Sequence, residues 1–424
     1  MTYYERNDRA VRALSLAIMQ PTVSGGDPQP FKRLHTLLRQ LFPRLFAHAS
    51  CEVIDETSLL IHLPGRQSAR PMIFLSHIDV VDAGDESRWT HAPFGGEIDG
   101  EYVHGRGAAD MKGHMIALLT AAEDLLQEGW NPASDVYFAF SSDEELRGGS
   151  MEKIACILRD RGVCPAFVLD EGGSVSSPYI IAQESAAYVG VSEKGRLLFS
   201  LSCEGMYAME KLSKAAARIA RIHPKGRLCA PVLTQMLPAM RPIMTRRDKY
   251  LLRYHHLNTK HLIYRLSRTA AGYAITHTQL MLWKQQGDAL MREKPTLYYS
   301  ASVLPGDSTE ELLSRVRRII KGTDITLTLG CLEEPGSLSP AQGLSWDALV
   351  TAIQVHFPGK IIVPSLMPGG TDARRMEMIC EHVYRFSPFV FSQEELQRTH
   401  SYNERISIEN LSRGVSFFRQ VLQA

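Results

Sequence analysis

The sequence predicts an α/β protein: a mixed, mostly parallel sheet with helices on both faces, and a smaller α+β unit inserted into it. Three observations predict this. Up to Glu193, short apolar runs alternate with amphipathic helices, the order that builds a largely parallel sheet. After Glu193-Lys194-Gly195 the pattern becomes a β-α-β-β-α-β succession. From Glu333 the first pattern returns. The expected division is residues 1–193 with 333–424 as one unit, and residues 194–332 as the insert.

A helical lead-in reaches about Leu41, with Phe31, Leu34, Leu38 and Leu41 at helical spacing. Residues 58–63 and 72–75 read as strands. Residues 111–128 read as a helix with Met115, Leu118, Leu119, Ala122, Leu125 and Leu126 on one apolar stripe. Residues 136–140 and 166–169 are further strands. In the insert, 197–201 reads as a strand and 209–222 as a helix, followed by an irregular Arg/His-rich stretch. Strands near 276–282 and 296–303, a helix at 309–320 and a strand at 325–329 complete it. Helix 345–355, strand 360–363 and a last helix ending near Val421 close the chain.

At 424 residues the chain exceeds one compact core, and 44% hydrophobic with 22% charged residues is the composition of an ordinary globular protein. Disorder, a collagen-like repeat and a coiled coil are excluded. The 7 cysteines are scattered, with no CxxC pair, which argues against a disulfide framework or a thiolate zinc site. Reduced thiols and a start, MTYYERNDRA, without an apolar h-region lead to an expected cytoplasmic location. No apolar run approaches the roughly 18 residues of a transmembrane segment.

Chemistry-bearing residues collect at the ends of the expected strands. In Ser76-His77-Ile78-Asp79, His77 and Asp79 project from one face, and a carboxylate beside a metal-binding imidazole fixes its tautomer. The turn 105–110 delivers Asp110 to a helix start. It superficially resembles a dinucleotide-binding turn, but Asp110 stands at the third glycine position and would repel a pyrophosphate. In Asp143-Glu144-Glu145, successive side chains diverge, so one glutamate can bind a metal while the other serves as a general base. Asp170-Glu171-Gly172-Gly173 ends another strand in adjacent carboxylates, and Thr399-His400-Ser401 offers a histidine in a polar loop. Two histidines with three or more carboxylates at strand ends suit a pair of zinc ions. His91, His104 and His114 are read as incidental. There is no GxSxG elbow and no partnered cysteine nucleophile.

The segments SHIDVV, WTHAPFGGEIDGEYVHGRGAADMKG, SSDEELRGG, VLDEGG, VSEKG, GGTDAR and THSYNERIS resemble the aminoacylase/carboxypeptidase S family of di-zinc metallopeptidases, in order and spacing. DEGG, PGGTDAR, YRFSP and HSYNERIS look most like the carboxypeptidase S branch. The resemblance covers residues 1–195 and 335–424 and is weaker between them. It implies a zinc-exopeptidase-like fold with an inserted lid. It also implies two Zn²⁺ ions held by His77, Asp110 (bridging), Glu145, Asp170 and His400, with Glu171 as the alternative in DEGG. Glu144 would be the general base, Asp79 the partner of His77, and Arg374 with Gly369 and Gly370 the seat of a substrate carboxylate. The implied substrate is a small peptide or N-acyl amino acid, cleaved at the amide next to a free carboxylate.

The insert departs from the family. After Glu204-Gly205 the chain reads Met206-Tyr207-Ala208-Met209, without the family's HSS-P histidine, and Gly287-Asp288-Ala289-Leu290-Met291-Arg292 replaces its Asn-Val-Leu-Pro motif. One of His223, His255, His256 or His261 could supply the missing oxyanion donor. The competing expectation is a zinc- and ligand-binding relative with weak or no catalysis. A homodimer would fit the family, although the dimer-linked motif is the one missing. Charge is also uneven. Residues 211–268 hold 14 Lys+Arg and one acid, Asp248, a net of +13, so the rest of this net +1 chain carries −12. The stretch has no nucleic-acid-binding signature beyond charge, and no nucleic-acid partner is expected. It could attract an anionic substrate, a membrane surface or an acidic partner, or dock on the acidic remainder as a solvated or inter-subunit face.

Overall fold

The computed structural model describes residues 3–146, 148–222, 224–286 and 294–424, with side chains from residue 8 onward. His223 and the segment 287–292 singled out in the sequence lie outside the described residues.

The strands are β1 (Ser50–Ile54), β2 (Ser58–Leu63), β3 (Gln67–His77), β4 (Tyr102–His104), β5 (Ser134–Ser141), β6 (Phe167–Asp170), β7 (Val175–Ser176) and β8 (Ala186–Glu193). They continue with β9 (Gly195–Ser202), β10 (Gln279–Gln286), β11 (Thr296–Val303), β12 (Thr326–Glu333), β13 (Ile362–Met367), β14 (Val383–Arg385) and β15 (Arg405–Ser407). The large sheet runs β1-β2-β5-β3-β6-β14-β8-β13, with β7 beside β8. It is mixed: β5, β3, β6 and β14 are mutually parallel, whereas β1, β2 and the β14–β8 junction are antiparallel. The parallel trio β5-β3-β6 therefore presents three neighbouring C-terminal ends on one edge, where the crevice of an open α/β sheet lies.

Both faces of these central strands are covered. On β3, Met72 and Phe74 enter one core and Ile73 and Leu75 the other; on β5, Phe138 and Phe140 oppose Tyr137 and Ala139. The first core lies under α1 (Tyr3–Ile18), α2 (Gln29–Leu41), α3 (Pro43–His48), α4 (Gly113–Gln127) and, near the C-terminus, α12 and α14 (Leu344–His356 and Ile408–Leu422). α4 is buried from Gly113 through Leu125, so its apolar residues surround the helix instead of forming the single stripe of the sequence pattern. Phe74 packs at 6.0–6.2 Å between the rings of Phe138, Phe167 and Phe418, a burial worth about 1.5–3 kcal/mol per side chain. The second core lies under α5 (Ser150–Asp160) and α13 (Ala373–Met376).

A four-stranded antiparallel sheet, β10-β11-β9-β12, carries α6 (Ala208–Ile219) and α11 (Thr309–Ile320) on one face. Leu197, Phe199 and Leu201 of β9 point into that core, and Arg196, Leu198 and Ser200 face the other way. Only Lys194 separates β8 from β9. The return crossing lies alongside: a Cβ on Gly195 would stand 2.7 Å from Pro335 N.

Two local expectations fail. The strand expected at 276–282 starts at Gln279, because α10 (Ala270–Thr276), capped by Thr269 on Gly272 N, occupies its first position. The Arg/His-rich stretch is helical, not irregular. It contains Pro231–Met236, α7 (Leu237–Met240), α8 (Arg246–Arg253), α9 (His255–Leu266) and α10. Pro231, Pro238 and Pro242 break the periodicity into pieces too short to read, yet Val232, Met236, Leu237, Met240, Leu251, Leu262 and Leu266 all bury against Tyr188, Val363 and Leu366 of β8 and β13. No helix among the described residues is long and apolar enough to cross a membrane.

Candidate metal centre

Each site residue arrives from a different element. His77 is the last residue of β3. Its Nδ1–H donates to the carbonyl oxygen of Asp79 at 2.9 Å, with Asp79 Oδ1 at 3.5 Å, which leaves Nε2 facing Asp110 Oδ1 at 2.9 Å and Glu171 Oε1 at 3.5 Å. Asp79 is fully buried and does more than hold one imidazole. Its oxygens accept the backbone N–H groups of Glu144 (3.2 Å) and Glu145 (3.1 Å) and the Ser24 hydroxyl (2.5 Å). Burial alone would raise its carboxyl, but these bonds and the imidazole outweigh that and hold it below the usual carboxylate range.

Asp110 sits at a sharp turn that needs glycine. Gly107 has φ +87° and Gly105 φ +142°; a Cβ on the first would stand 2.7 Å from Val80 Cγ1, and on the second 2.5 Å from Ile18 Cγ2. The turn is clamped from β15's side of the molecule. β15 pairs with β4, and Glu404 just before it accepts the N–H groups of Ala109 (2.9 Å) and Asp110 (3.1 Å) on one oxygen and Arg106 Nη1 (2.7 Å) on the other. The same connection brings in His400, whose Nε2 lies 3.0 Å from Asp110 Oδ2 and 3.0 Å from Glu145 Oε2. Ligand atoms of His77, Asp110 and Glu145 all fall within 4.8 Å of one another.

Of the adjacent carboxylates ending β6, Glu171 joins this group and Asp170 does not. Both Asp170 oxygens are taken by backbone, from Glu171 N (2.8 Å) and Ala373 N (2.8 Å), so Asp170 secures the start of α13 beneath the site. Of the two alternatives that the sequence left open, Glu171 is the one whose carboxylate lies near His77. Burial, then the Asp110 charge, pushes the Glu171 carboxyl well above its ordinary range. Asp372 is raised likewise, by burial and then by the charges of Glu144 and Asp170, and it accepts the Ser141 hydroxyl. His400 is pushed up to about 10 by its bonds to Asp110 and Glu145. The donor set thus has more buried negative charge than its two imidazoles can neutralise, and divalent cations with N and O ligands fit that surplus.

Arg374 has a structural task that its motif does not reveal. Its guanidinium is committed within the protein, to Glu193 Oε2 (3.3 Å), Lys194 O (2.5 Å) and Glu334 O (2.5 Å), which ties together the two crossings between the sheets. Glu193 in turn accepts Arg385 Nε at 2.7 Å and Thr371 Oγ1 at 2.6 Å. These bonds hold the guanidinium in place and leave one Nη1 N–H without a protein partner among the described residues. Arg374 lines a cleft of about 120 Å³ together with Arg196, Ser300, Ser302, Gly369 and Gly370. Arg196 Nη1 is buried there without a hydrogen-bond partner. Nothing in the sequence marked Arg196; its importance depends on β9 and the 368–370 loop meeting in space. His255, His256 and His261 belong to α9, and His255 Nδ1 bonds Leu252 O; no bond from these three reaches the residues around Asp110 among the described residues. His91 and His104 stack on each other at 3.9 Å, and His114 is buried against Phe418.

Imidazoles and carboxylates gathered over the C-terminal ends of parallel strands define the active-site type of a metal-dependent hydrolase. The chain belongs to peptidase family M20/M25/M40, whose family profile matches residues 73–424. It is therefore an enzyme of the peptidase and amidohydrolase class. It is 29% identical over 425 residues to the Dictyostelium discoideum protein named probable carboxypeptidase S-like 2, covering 93% of this chain and 79% of that protein. It is also 29% identical over 443 residues to the N-fatty-acyl-amino acid synthase/hydrolase PM20D1 of Xenopus tropicalis, covering 97% and 85%. Among solved structures, the M20 family metallo-carboxypeptidase Sso-CP2 from Sulfolobus solfataricus superposes with a TM-score of 0.72 at 14% identity, over 98% of both chains. Human carnosine dipeptidase 1 superposes with a TM-score of 0.68 at 16% identity, over 100% of this chain and 98% of that one. These two share the fold.

Proposed function

We propose that the protein is a zinc-dependent hydrolase that cleaves a peptide or N-acyl amide bond adjacent to a free carboxylate. The observation that carries this reading is the convergence of His77, Asp110, Glu145, Glu171 and His400, with Glu144 on the same loop as Glu145. His77, Asp110, Glu145, Glu171 and His400 would hold two zinc ions; the two oxygens of Asp110 face the two different imidazoles. When bound, zinc supplies Lewis acidity that polarises a carbonyl and eases deprotonation of water. Glu144 accepts the proton of the attacking water and returns it to the departing amine. Asp79 fixes the His77 tautomer and pins the peptide N–H groups of Glu144 and Glu145, so base and ligands share one support.

Chelation should abolish hydrolysis of N-acyl amino acids and dipeptides, and added Zn²⁺ should restore it. Protein with full metal content and no turnover on either substrate class would point instead to a binding relative. Glu171→Gln should weaken metal affinity at least about 10-fold, whereas Asp170→Asn should lower the melting temperature with a smaller loss of metal; equal metal loss in both would return the ligand role to the pair as a whole.

Arg196, whose Nη1 has no partner within the protein, is the guanidinium we assign first to the substrate carboxylate, with Arg374, Gly369 and Gly370 lining the same cleft. A charge-assisted bond of about 1.5–3 kcal/mol sets the expected effect. Arg196→Ala should raise KM for a carboxylate-bearing substrate about 10- to 150-fold and leave the carboxamide-capped analogue unchanged. An equal loss on both substrates would remove the assignment.

A further inference from the structure

Part of the basic surplus is paired, Lys211 with Asp324, Lys214 with Glu210 and Arg227 with Asp307, but among the described residues the cations of α8 and α9 make no ion pair with an acid outside the stretch. These helices meet β8 and β13 through apolar side chains, with Leu251 of α8 and Leu262 and Leu266 of α9 turned inward. Their charges stay outside. The lone acid of the stretch, Asp248, is buried and held in two bonds by Arg265, Nε to Oδ1 at 3.1 Å and Nη2 to Oδ2 at 3.0 Å. That pair locks α8 to α9 and removes the only negative charge from the surface they share. Arg241, Arg246, Arg247, Arg253, Lys260 and Arg268 are exposed and have no acidic partner within salt-bridge distance among the described residues.

The same outer surface exposes large apolar side chains between the charges. Tyr250 is 61% exposed on α8, and Leu257 and Tyr264 are 76% and 64% exposed on α9. On α9 the order Leu257, Lys260, Tyr264 steps along one helical face, and on α8 Arg246, Tyr250, Arg253 does the same. Basic groups interleaved with leucine and tyrosine on a helix held to the protein by its opposite face are what an anionic lipid surface recognises. The cations meet headgroup phosphates, while the aliphatic and phenolic groups enter the boundary with the acyl chains. An acidic protein or a nucleic acid would use the charge and leave Leu257 exposed for nothing. We propose that the α8–α9 surface docks the enzyme on membranes containing anionic lipid.

The test is co-sedimentation of the whole protein with vesicles of phosphatidylcholine alone and of phosphatidylcholine mixed with phosphatidylserine. Binding is expected only to the mixed vesicles, and salt should release it. Each exposed cation near such a surface contributes about fivefold in partitioning, so combined Arg246→Glu, Arg247→Glu, Arg253→Glu and Lys260→Glu should cut binding more than about 100-fold. Leu257→Ser with Tyr264→Ser should weaken it several-fold at unchanged salt dependence. Arg315→Glu with Arg318→Glu on α11 serves as the control, since its binding should match the parent. All variants alter exposed side chains, and an unchanged melting temperature confirms that they fold. Failure to bind mixed vesicles at low salt, or undiminished binding after the four charge reversals, overturns the proposal. So does vesicle-free self-association, or retention on RNA, that the reversals abolish without any vesicle binding in the parent; either would give this face to a second copy or to a polyanion.

Discussion

Glu144→Ala should lower kcat by about 100- to 10,000-fold while bound metal stays at the level of the unaltered protein. The separation rests on geometry. Glu144 and Glu145 share a loop pinned by the two oxygens of Asp79 through backbone N–H groups, and these bonds do not involve the Glu144 side chain. Removing that side chain therefore leaves the position of Glu145, and with it the candidate metal cluster, in place. Glu144→Gln is the sharper comparison, because it keeps the volume and loses the proton acceptor. Metal analysis beside steady-state kinetics checks both. A metal-replete Glu144→Gln protein that retained turnover would defeat the assignment of the base.

Glu404→Ala should be the most destabilising single change at the site's periphery. Glu404 and Arg106 form an ion pair at 2.7 Å with their side chains only 1% and 3% exposed, and Glu404 also receives the two N–H groups that hold the Asp110 turn. Truncation leaves the Arg106 charge buried and unpaired, a cost of about 3–5 kcal/mol. It should also weaken metal affinity about 10- to 100-fold, since Asp110 loses its backbone anchor. Glu404→Gln separates the two effects: its amide oxygen can still accept from Ala109 and Asp110, so metal affinity should recover more than stability. Pairing it with Arg106→Met should restore part of the lost stability, because removing both charges is cheaper than stranding one. Urea denaturation with and without metal reads all of this, and an unaltered midpoint for Glu404→Ala would show that the pair contributes little.

Much of the catalytic sheet was legible because its chemistry sits in contiguous motifs at strand ends. His77, Asp110, Glu144, Glu145 and His400 could each be read from a short segment, and strands such as β2 and β11 from unbroken runs. The rest depended on distances the chain order does not reveal. Which of Asp170 and Glu171 faces His77 is set by how β6 ends against Ala373, some 200 residues away. That Arg374 also ties Glu193, Lys194 and Glu334 together could not be read from its motif. Arg196 carries no local signal at all. The helices α7 to α10 were hidden by prolines and by a basic composition that imitates a loop, although their buried leucines and methionines keep helical spacing.

The adjacent acids at the end of β6 have a consequence for side-chain length. Neighbouring residues leave a strand on opposite sides, so one carboxylate turns toward Ala373 and the next toward His77. The inward task is short-range and suits aspartate, whereas reaching His77 takes the extra methylene of glutamate. Exchanging the two, Asp170→Glu together with Glu171→Asp, would keep composition, charge and spacing. It would nevertheless set an overlong acid under α13 and a carboxylate that stops short of the imidazole. At this point the enzyme reads the order of two like-charged letters as strictly as it reads their identity.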